Sequence, residues 1–483
     1  MLVPAHYPVT CNTKYVACGS TFVAIPGFTT DGARFIPEAL AKGATRIVVS
    51  PRHDTQAVRD LCAEHKATLL VVENPRKALA ALAAEALDFP AQKLHIIGVT
   101  GTKGKSTTTL LVERLLRKAG YKTALINTIY NSILGKRSTT THTTPEADYL
   151  QLFFATCVQK GVTHVVMEVS SHALSLHRVD QIPFATVGFT NLAPEHMDFY
   201  PTMDDYFQAK AQLFSLTTSR SLIVINADTE WSAKALAAAV HAAQHTHAHV
   251  QTYGQQDSAT AQHVTMHVQQ ASCDGIDLIL NPTMGESLAL SCPQLFGVFN
   301  CYNIAMAALI ARHAGLTDTD IINGLRSFKG VPGRLQRHVL RSGALAFIDY
   351  AHNPSSMEEV LKTLRPFTSH LVVLFGCGGD RDKTKRPVMG ALASQYGDTV
   401  IVTDDNPRSE DRLAIIEQVV AGIPHDQRSK VLVIPDRREA IAYAAQIAPS
   451  HAIIAILGKG HENYYLIGDQ RLHLSDFEEI GHF

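Results

Sequence analysis

The eight cysteines, Cys11, Cys18, Cys62, Cys157, Cys273, Cys292, Cys301 and Cys377, form no CxxC pair and no tight framework. A disulfide-stapled scaffold is therefore not expected, and reduced thiols in a cytoplasm are the simplest reading. An excess of one charge is also missing: 43 Lys+Arg stand against 44 Asp+Glu, a formal net charge of −1. Such balance argues against a general nucleic-acid binder or a polybasic membrane clamp, but leaves room for a local basic pocket around one anionic substrate. The opening MLVPAHYPVT has no basic region leading into an apolar stretch. No apolar run approaches the roughly 18 residues that span a bilayer. There is no repeat of fixed period and no low-complexity tract. These absences lead us to expect a cytoplasmic protein with no nucleic-acid partner and no membrane insertion.

What is present is core-forming material, 46% hydrophobic and 18% charged over 483 residues. At roughly 150 residues per domain, that length suggests about three domains. Short apolar, β-branched runs alternate with Ala/Leu-rich stretches, the βαβ pattern of α/β folds with parallel sheets. The pattern restarts near PAQKLHIIGVTGTKGKS and is broken near FKGVPGRLQRHV, giving expected domains 1–92, 93–331 and 332–483. Polar and Gly-rich motifs follow the strand-like runs: LHIIGVT leads into GTKGKST, HVVMEV into SSHA, TVIVT into DDNPR and AIIAIL into GKGHE. Parallel sheets bind ligands at the carboxyl ends of strands, so two successive domains of this kind suggest two half-sites of an enzyme that joins two substrates.

The segment from Gly98 to Thr108, GVTGTKGKSTT, lies between a strand-like and a helix-like run. Backbone N–H groups of such a loop cradle phosphates, Lys105 can reach the β/γ-phosphates, and the Ser106 hydroxyl can ligate Mg²⁺. The strict P-loop spacing fails at Val99, with Gly98 and Gly101 on either side.

The form GTKGKS resembles that of the Mur ligase family. Further motifs follow in family order: MEVSSHAL, HRVD, FTNLAPEHMDFY, FGVFNCYN, VPGRLQ, DYAHNP, GCGGDRDKTKRP, TDDNPR and GKGHE. The resemblance implies three domains for a UDP-sugar, ATP and an amino acid: a UDP-substrate domain, a central P-loop ATPase domain with a parallel sheet, and a Rossmann-like carboxyl-terminal domain. It also implies addition of meso-diaminopimelate to UDP-MurNAc-L-Ala-D-Glu, by a monomer, in peptidoglycan precursor synthesis. ATP would phosphorylate the substrate carboxylate to an acyl phosphate, which the amine then attacks. Bringing two anions together requires compensating positive charge.

By resemblance, Gly101, Thr102, Lys103, Gly104, Lys105, Ser106 and Thr107 hold ATP, with Asn303 at the adenine, Arg334 at the γ-phosphate, and Asp349 and His352 near the ribose or metal. Lys105, Glu168, His196 and Lys210 are the implied catalytic set, and Ser106, Glu168, His196 and a carbamylated Lys210 the implied magnesium ligands. The carbamate derives from CO₂ captured by a neutral amine; an ammonium at that place would repel the cation. Thr13, Thr29 and Thr30 are implied at the UDP part, Thr143 and Thr144 at the sugar-peptide, and Ser170 and Arg178 at peptide carboxylates. Relatives have Asp-Ser-Arg where this chain has Asn12, Thr13 and Lys14, which removes a negative charge and an Arg fork.

For the incoming amino acid, Arg408 can grip a distal carboxylate bidentately, while Asp405, Asn406 and Glu462 can receive or orient the amine. Arg381, Pro407 and Gly458 are matched to the same pocket. The DNPR form resembles the diaminopimelate-selecting one, although Asp-Asn-Pro also suits a turn before a helix. Finally, His245, His247 and His249 would share one face of a strand, where an exposed edge strand or connector is a simpler reading than a metal site.

Overall fold

A computed structural model describes residues 2–28, 30–140, 142–256 and 262–483. The fold is α/β, and the described strands assemble into sheets of four, eleven, six and two strands. The chain divides into two compact units. One comprises Met1–Gln269, Leu278–Ser291 and Phe299–Ser327; the other comprises Gln270–Asp277, Cys292–Val298 and Phe328–Phe483. No helix among the described residues is long and apolar enough to cross a membrane.

The first unit contains two sheets. Val9–Thr10, Thr21–Val23, Arg46–Val49 and Thr68–Val71 pair in that order, all parallel. Their apolar runs pack on both faces, Phe22 and Ile47 against Ile36 and Leu40, and Val23 and Val48 against Leu79 and Ala83. The Thr10 hydroxyl donates to the buried Asp148 carboxylate at 2.8 Å, which ties this sheet to helix Ala147–Gln159 of the neighbouring layer.

In the larger sheet, His95–Thr100 lies between Phe184–Phe189 and His164–Glu168, with Thr123–Ile126 beyond the latter and Thr217–Asn226 beyond the former. All of these pairs are parallel. The chain leaves His95–Thr100, skips over one strand to Thr123–Ile126, and later continues on the other side. The carboxyl end of His95–Thr100 is therefore a topological switch point, where open α/β sheets bind ligands. Gly98 allows the close packing here, because a Cβ would stand 2.6 Å from the Phe184 ring.

In the second unit Gln336–Val339 pairs antiparallel with Leu345–Asp349. Ile453–Leu457, Leu371–Phe375, Thr399–Val402 and Val431–Val433 then follow in parallel. Helices cover both faces, Met357, Leu361 and Met389 packing with Val373 and Ala455, and Ala440, Ile441 and Ala444 with Ile401 and Ile456.

The histidine trio corrects one expectation. His245 lies in helix Ser232–Thr246, His247 is its left-handed cap with φ 60°, and His249 begins strand His249–Gly254, which is paired on both sides. The Ala-rich run SAKALAAAVHAAQ carries its helix propensity through His245, so the apparent two-residue period never becomes one strand face.

Candidate active site

The loop at the switch point has the geometry its sequence requires. Gly101, at φ +141°, faces Thr190, whose hydroxyl would stand 1.9 Å from a Cβ; Gly104, at φ +87°, faces the Asn303 amide at 2.4 Å. Helix Lys105–Lys118 starts directly after Gly104, so the N–H groups of its first turn lie at the loop. The Lys103 N–H donates to Asn191 Oδ1 at 2.9 Å, and its carbonyl accepts from the Thr190 hydroxyl at 2.6 Å. Thr102 meets Ala193 and the Tyr206 hydroxyl. Lys105 Nζ donates to the Gly101 and Thr102 carbonyls at 2.9 and 2.8 Å, and Thr107 is buried on the first helical turn. Ser106, half-buried on that turn, also offers its carbonyl to Asn127. Asn303 lies inside helix Val298–His313 and accepts from Thr108 at 3.2 Å, bracing the P-loop helix.

Glu168 ends the adjacent strand and is buried. Its carboxylate accepts from the Thr128 N–H at 2.9 Å and the Thr128 hydroxyl at 3.0 Å, and that hydroxyl lies 3.1 Å from Thr143 Oγ1. Thr144 donates to the Glu168 carbonyl at 2.9 Å and accepts from the Ser170 N–H at 3.0 Å. Ser170 caps helix Ser171–Ser175. Arg178 pairs with Glu146 at 2.6 Å and donates to the Thr144 carbonyl. The Thr-rich segment thus runs from the buried acid to the arginine.

Lys210 is carried on helix Met203–Ala211, whose start is fixed by a capping box between Thr202 and Asp205. It is buried, donates to the Gly101 carbonyl at 2.8 Å, and lies 4.4 Å from the Tyr206 ring centroid. Burial, then the neighbouring Lys105, pushes its pKa well below the usual lysine range. His196 adopts a left-handed φ of 59° and packs edge-on to His172. Its pKa is lowered, first by burial and also by Lys210 and Lys105, with Glu195 opposing.

These donors suit a hard cation: a carboxylate, a hydroxyl and an imidazole held toward its neutral form. Lys210 as an ammonium cannot be a ligand, and among the described residues no three His, Cys, Asp or Glu side chains gather as a metal set. In the smaller sheet Thr13 opens the 3-10 turn Thr13–Tyr15, capped by Asn12, and its carbonyl accepts from Lys42. Thr30 is exposed, and Thr29 lies outside the described residues.

In the second unit the strand-end loops meet one another. Asp349 is buried and accepts from the Leu335 and Ala351 N–H groups at 2.7 and 2.9 Å, which fixes the turns on which Arg334 and His352 sit. Arg334 lies over the Tyr350 ring at 5.3 Å, and His352 is exposed beside the Tyr350 carbonyl. Gly458, at φ +111°, faces the Asp405 carboxylate, 2.6 Å from where a Cβ would stand. Asn406 donates to Glu462 at 2.9 Å. Arg408, at φ 53°, donates to the Gly379 carbonyl at 2.7 Å and makes no salt bridge with a carboxylate among the described residues. Pro407 packs its carbonyl on Gly379, and the exposed Arg381 bonds the Asp380 carbonyl. The helix after this loop, Arg412–Ala421, is capped by Asp411, so Asp405 and Asn406 are not spent as its cap.

Comparison with known proteins agrees along the length of the chain. Residues 7–86 match the Mur ligase family, catalytic domain; 99–311 the Mur ligase middle domain; and 333–460 the Mur ligase, glutamate ligase domain. A UDP-N-acetylmuramoyl-L-alanyl-D-glutamate--2,6-diaminopimelate ligase of Syntrophomonas wolfei is 37% identical over 468 residues, covering 96% of this chain and 92% of its own. The chain belongs to the Mur ligase family. The enzyme of the same name from Synechococcus elongatus is 40% identical over 463 residues, 95% of this Mur ligase and 90% of its own length. A solved structure of that name has TM-score 0.70 at 30% identity, covering 99% and 94% of the two chains. Mycobacterium tuberculosis folylpolyglutamate synthase complexed with ADP shares the fold, at 20% identity and TM-score 0.61 over 80% of this chain and 92% of its own.

Several contacts in this Mur ligase were not singled out from sequence. Thr128 is one; it follows a strand end, as the recognised motifs do. Arg386, fully buried inside the motif GCGGDRDKTKRP, pairs with Glu410 at 3.0 Å and donates to the Gly378 carbonyl at 3.1 Å, clamping the two loops around Arg408. Arg437 pairs with Asp476 at 2.7 Å and donates to the Asp404 and Leu457 carbonyls, joining the strand ends that carry DNPR and GKGHE.

Proposed function

We propose that this Mur ligase joins meso-diaminopimelate to UDP-MurNAc-L-Ala-D-Glu with ATP, through an acyl phosphate. The observation that carries the choice of amino acid is Arg408, a half-buried guanidinium that makes no salt bridge with a carboxylate among the described residues, on the same loop as Asp405 and as Asn406, which bonds Glu462. Diaminopimelate brings a distal carboxylate for the guanidinium and a distal ammonium for the acids, whereas lysine brings only the ammonium. The curated relatives named above act on 2,6-diaminopimelate by name, which supports the same choice.

In this reading the P-loop N–H groups and Lys105 bind the triphosphate and offset the charge of the migrating phosphoryl group. Mg²⁺ would be held by Ser106, Glu168, His196 and a carbamylated Lys210, and it would supply further charge compensation. Thr128 fixes the Glu168 carboxylate. Thr143, Thr144, Ser170 and Arg178 bind the sugar-peptide, and Thr13, Thr29 and Thr30 the UDP part. Arg334, Asp349 and His352 serve the nucleotide, directly or by shaping its turns, and Asn303 supports it by bracing the P-loop helix. The corresponding domains are 1–92, 93–331 and 332–483, a division supported by the three family matches. A monomer is the proposed state. The substrates and the absence of disulfides suit a cytoplasmic setting.

Phosphate release with ATP, Mg²⁺ and UDP-MurNAc-L-Ala-D-Glu tests the reading, with and without an added amino acid. Release that depends on both the UDP-substrate and diaminopimelate is expected. Release that depends on a folate and glutamate, or no turnover with any amino acid, would overturn it.

A further inference from the structure

Full burial of an ammonium is costly unless the group is paired. Lys459 has 0% of its surface exposed. Its Nζ donates to Asn406 Oδ1 at 3.2 Å and to Glu462 Oε2 at 3.3 Å, and it stands 5.4 Å from the Tyr464 ring centroid. Asp405 is buried beside it: burial pushes that carboxyl up, and Lys459 is the strongest influence pulling it back.

The other charges around this loop have their own partners. Asp404 pairs with Arg412 at 2.6 Å and Asp476 with Arg437 at 2.7 Å. Of the remaining charges on the acidic side of the two loops themselves, Asp405, Glu462 and Lys459 sum to one formal negative unit, while Arg334 and Arg471 lie farther out on the rings of Tyr350 and Tyr464. Asn406 adds little acceptor capacity for an incoming amine, because its Oδ1 already takes Lys459 Nζ and the Leu466 N–H at 3.0 Å.

We propose that Lys459 is a specificity-determining residue: its buried ammonium reduces the acidic side of the amino-acid pocket to a single net negative charge, matched to one distal ammonium while Arg408 takes a distal carboxylate. This rests on the reading of the DNPR loop as the amino-acid pocket. Without Lys459 the acidic side carries two units in a partly desolvated place, and it then favours a substrate whose distal end is purely cationic. The residue works by setting field and selectivity; it takes no part in bond making.

The experiment compares Lys459→Met, Asp405→Asn and the double variant with the wild type, in the full chain. It measures kcat and KM for meso-diaminopimelate and L-lysine, KM for ATP, and thermal unfolding. Lys459→Met is expected to lower the diaminopimelate-to-lysine ratio of kcat/KM by roughly tenfold or more, mainly through KM. KM for ATP should stay within about twofold, because uniform loss of fold would move it too. Asp405→Asn alone is expected to raise KM for lysine. The double variant restores the formal balance and should recover most of the ratio. A folded Lys459→Met with wild-type selectivity, or a double variant no better than the single, overturns the proposal. If Lys459→Met does not fold, Lys459→Gln decides, because it keeps a donor toward Asn406 and Glu462 without the charge: an unchanged diaminopimelate-to-lysine ratio overturns the proposal and a lowered one supports it. A wild type that does not prefer diaminopimelate overturns the proposed function instead.

Discussion

Lys105 and Lys210 donate to one acceptor: the Gly101 carbonyl receives the first ammonium at 2.9 Å and the second at 2.8 Å. Two like charges converge on the loop proposed to hold ATP, and Lys210 is the buried one. The resulting pressure toward a neutral amine is what capture of CO₂ at Lys210 requires, and carbamylation would replace the repulsion with attraction.

Lys105→Ala and Glu168→Ala should each lower turnover by roughly 10²–10³-fold or more, because each removes charge compensation from phosphoryl transfer. Circular dichroism and thermal unfolding should show that both variants fold. Near-normal product formation by either one would remove its assigned role.

Lys210→Ala should be nearly inactive and partly rescued by formate or acetate, which can occupy the vacated anionic position. Full activity without rescue would mean that Lys210 is a structural lysine whose ammonium simply holds Gly101.

Thr128→Val deletes the hydroxyl contact to Glu168 but keeps the N–H contact and the side-chain volume. Loss of such a supporting contact typically costs about 10–100-fold in metal affinity or activity. Activity titrated against Mg²⁺ should therefore shift to higher concentrations. An unchanged magnesium dependence would show that Thr128 does not position Glu168.

Glu410 is held at about 2, from an ordinary 4.5, chiefly by its bonds to Arg386. A depressed carboxyl pKa stabilises the fold fully above the unfolded value, and that contribution is lost as pH falls through the folded one. Glu410→Gln should thus be less stable than wild type near neutrality, with the deficit shrinking between pH 4.5 and about 2. A deficit that is constant across that window in urea unfolding at several pH values would contradict the linkage.

The phosphate loop was legible because its chemistry is local: glycines, a lysine and a serine in one short run, each dictated by backbone approach. Central strands such as Leu371–Phe375 and Ile453–Leu457 were legible because both faces are buried and their apolar runs are unbroken. The burial of Lys210 was not legible, since DDYFQAKAQLF reads as an exposed helix face and its cover comes from Gly101, far away in sequence. Arg386 with Glu410 and Arg437 with Asp476 were missed for the same reason: no sequence period registers an ion pair made across folded loops. At Asp405 and Asn406, a turn before the helix remained open from sequence until Asp411 was seen to provide the cap.

The most direct measurement of the central claim gives the wild-type chain ATP, Mg²⁺, UDP-MurNAc-L-Ala-D-Glu and an equimolar mixture of meso-diaminopimelate and L-lysine, and weighs the products by mass spectrometry. The diaminopimelate adduct should dominate by at least about tenfold, because lysine leaves Arg408 desolvated without its partner. Arg408→Ala should lose chiefly that adduct. Equal adducts from the wild type, or selectivity untouched in Arg408→Ala, would contradict the account.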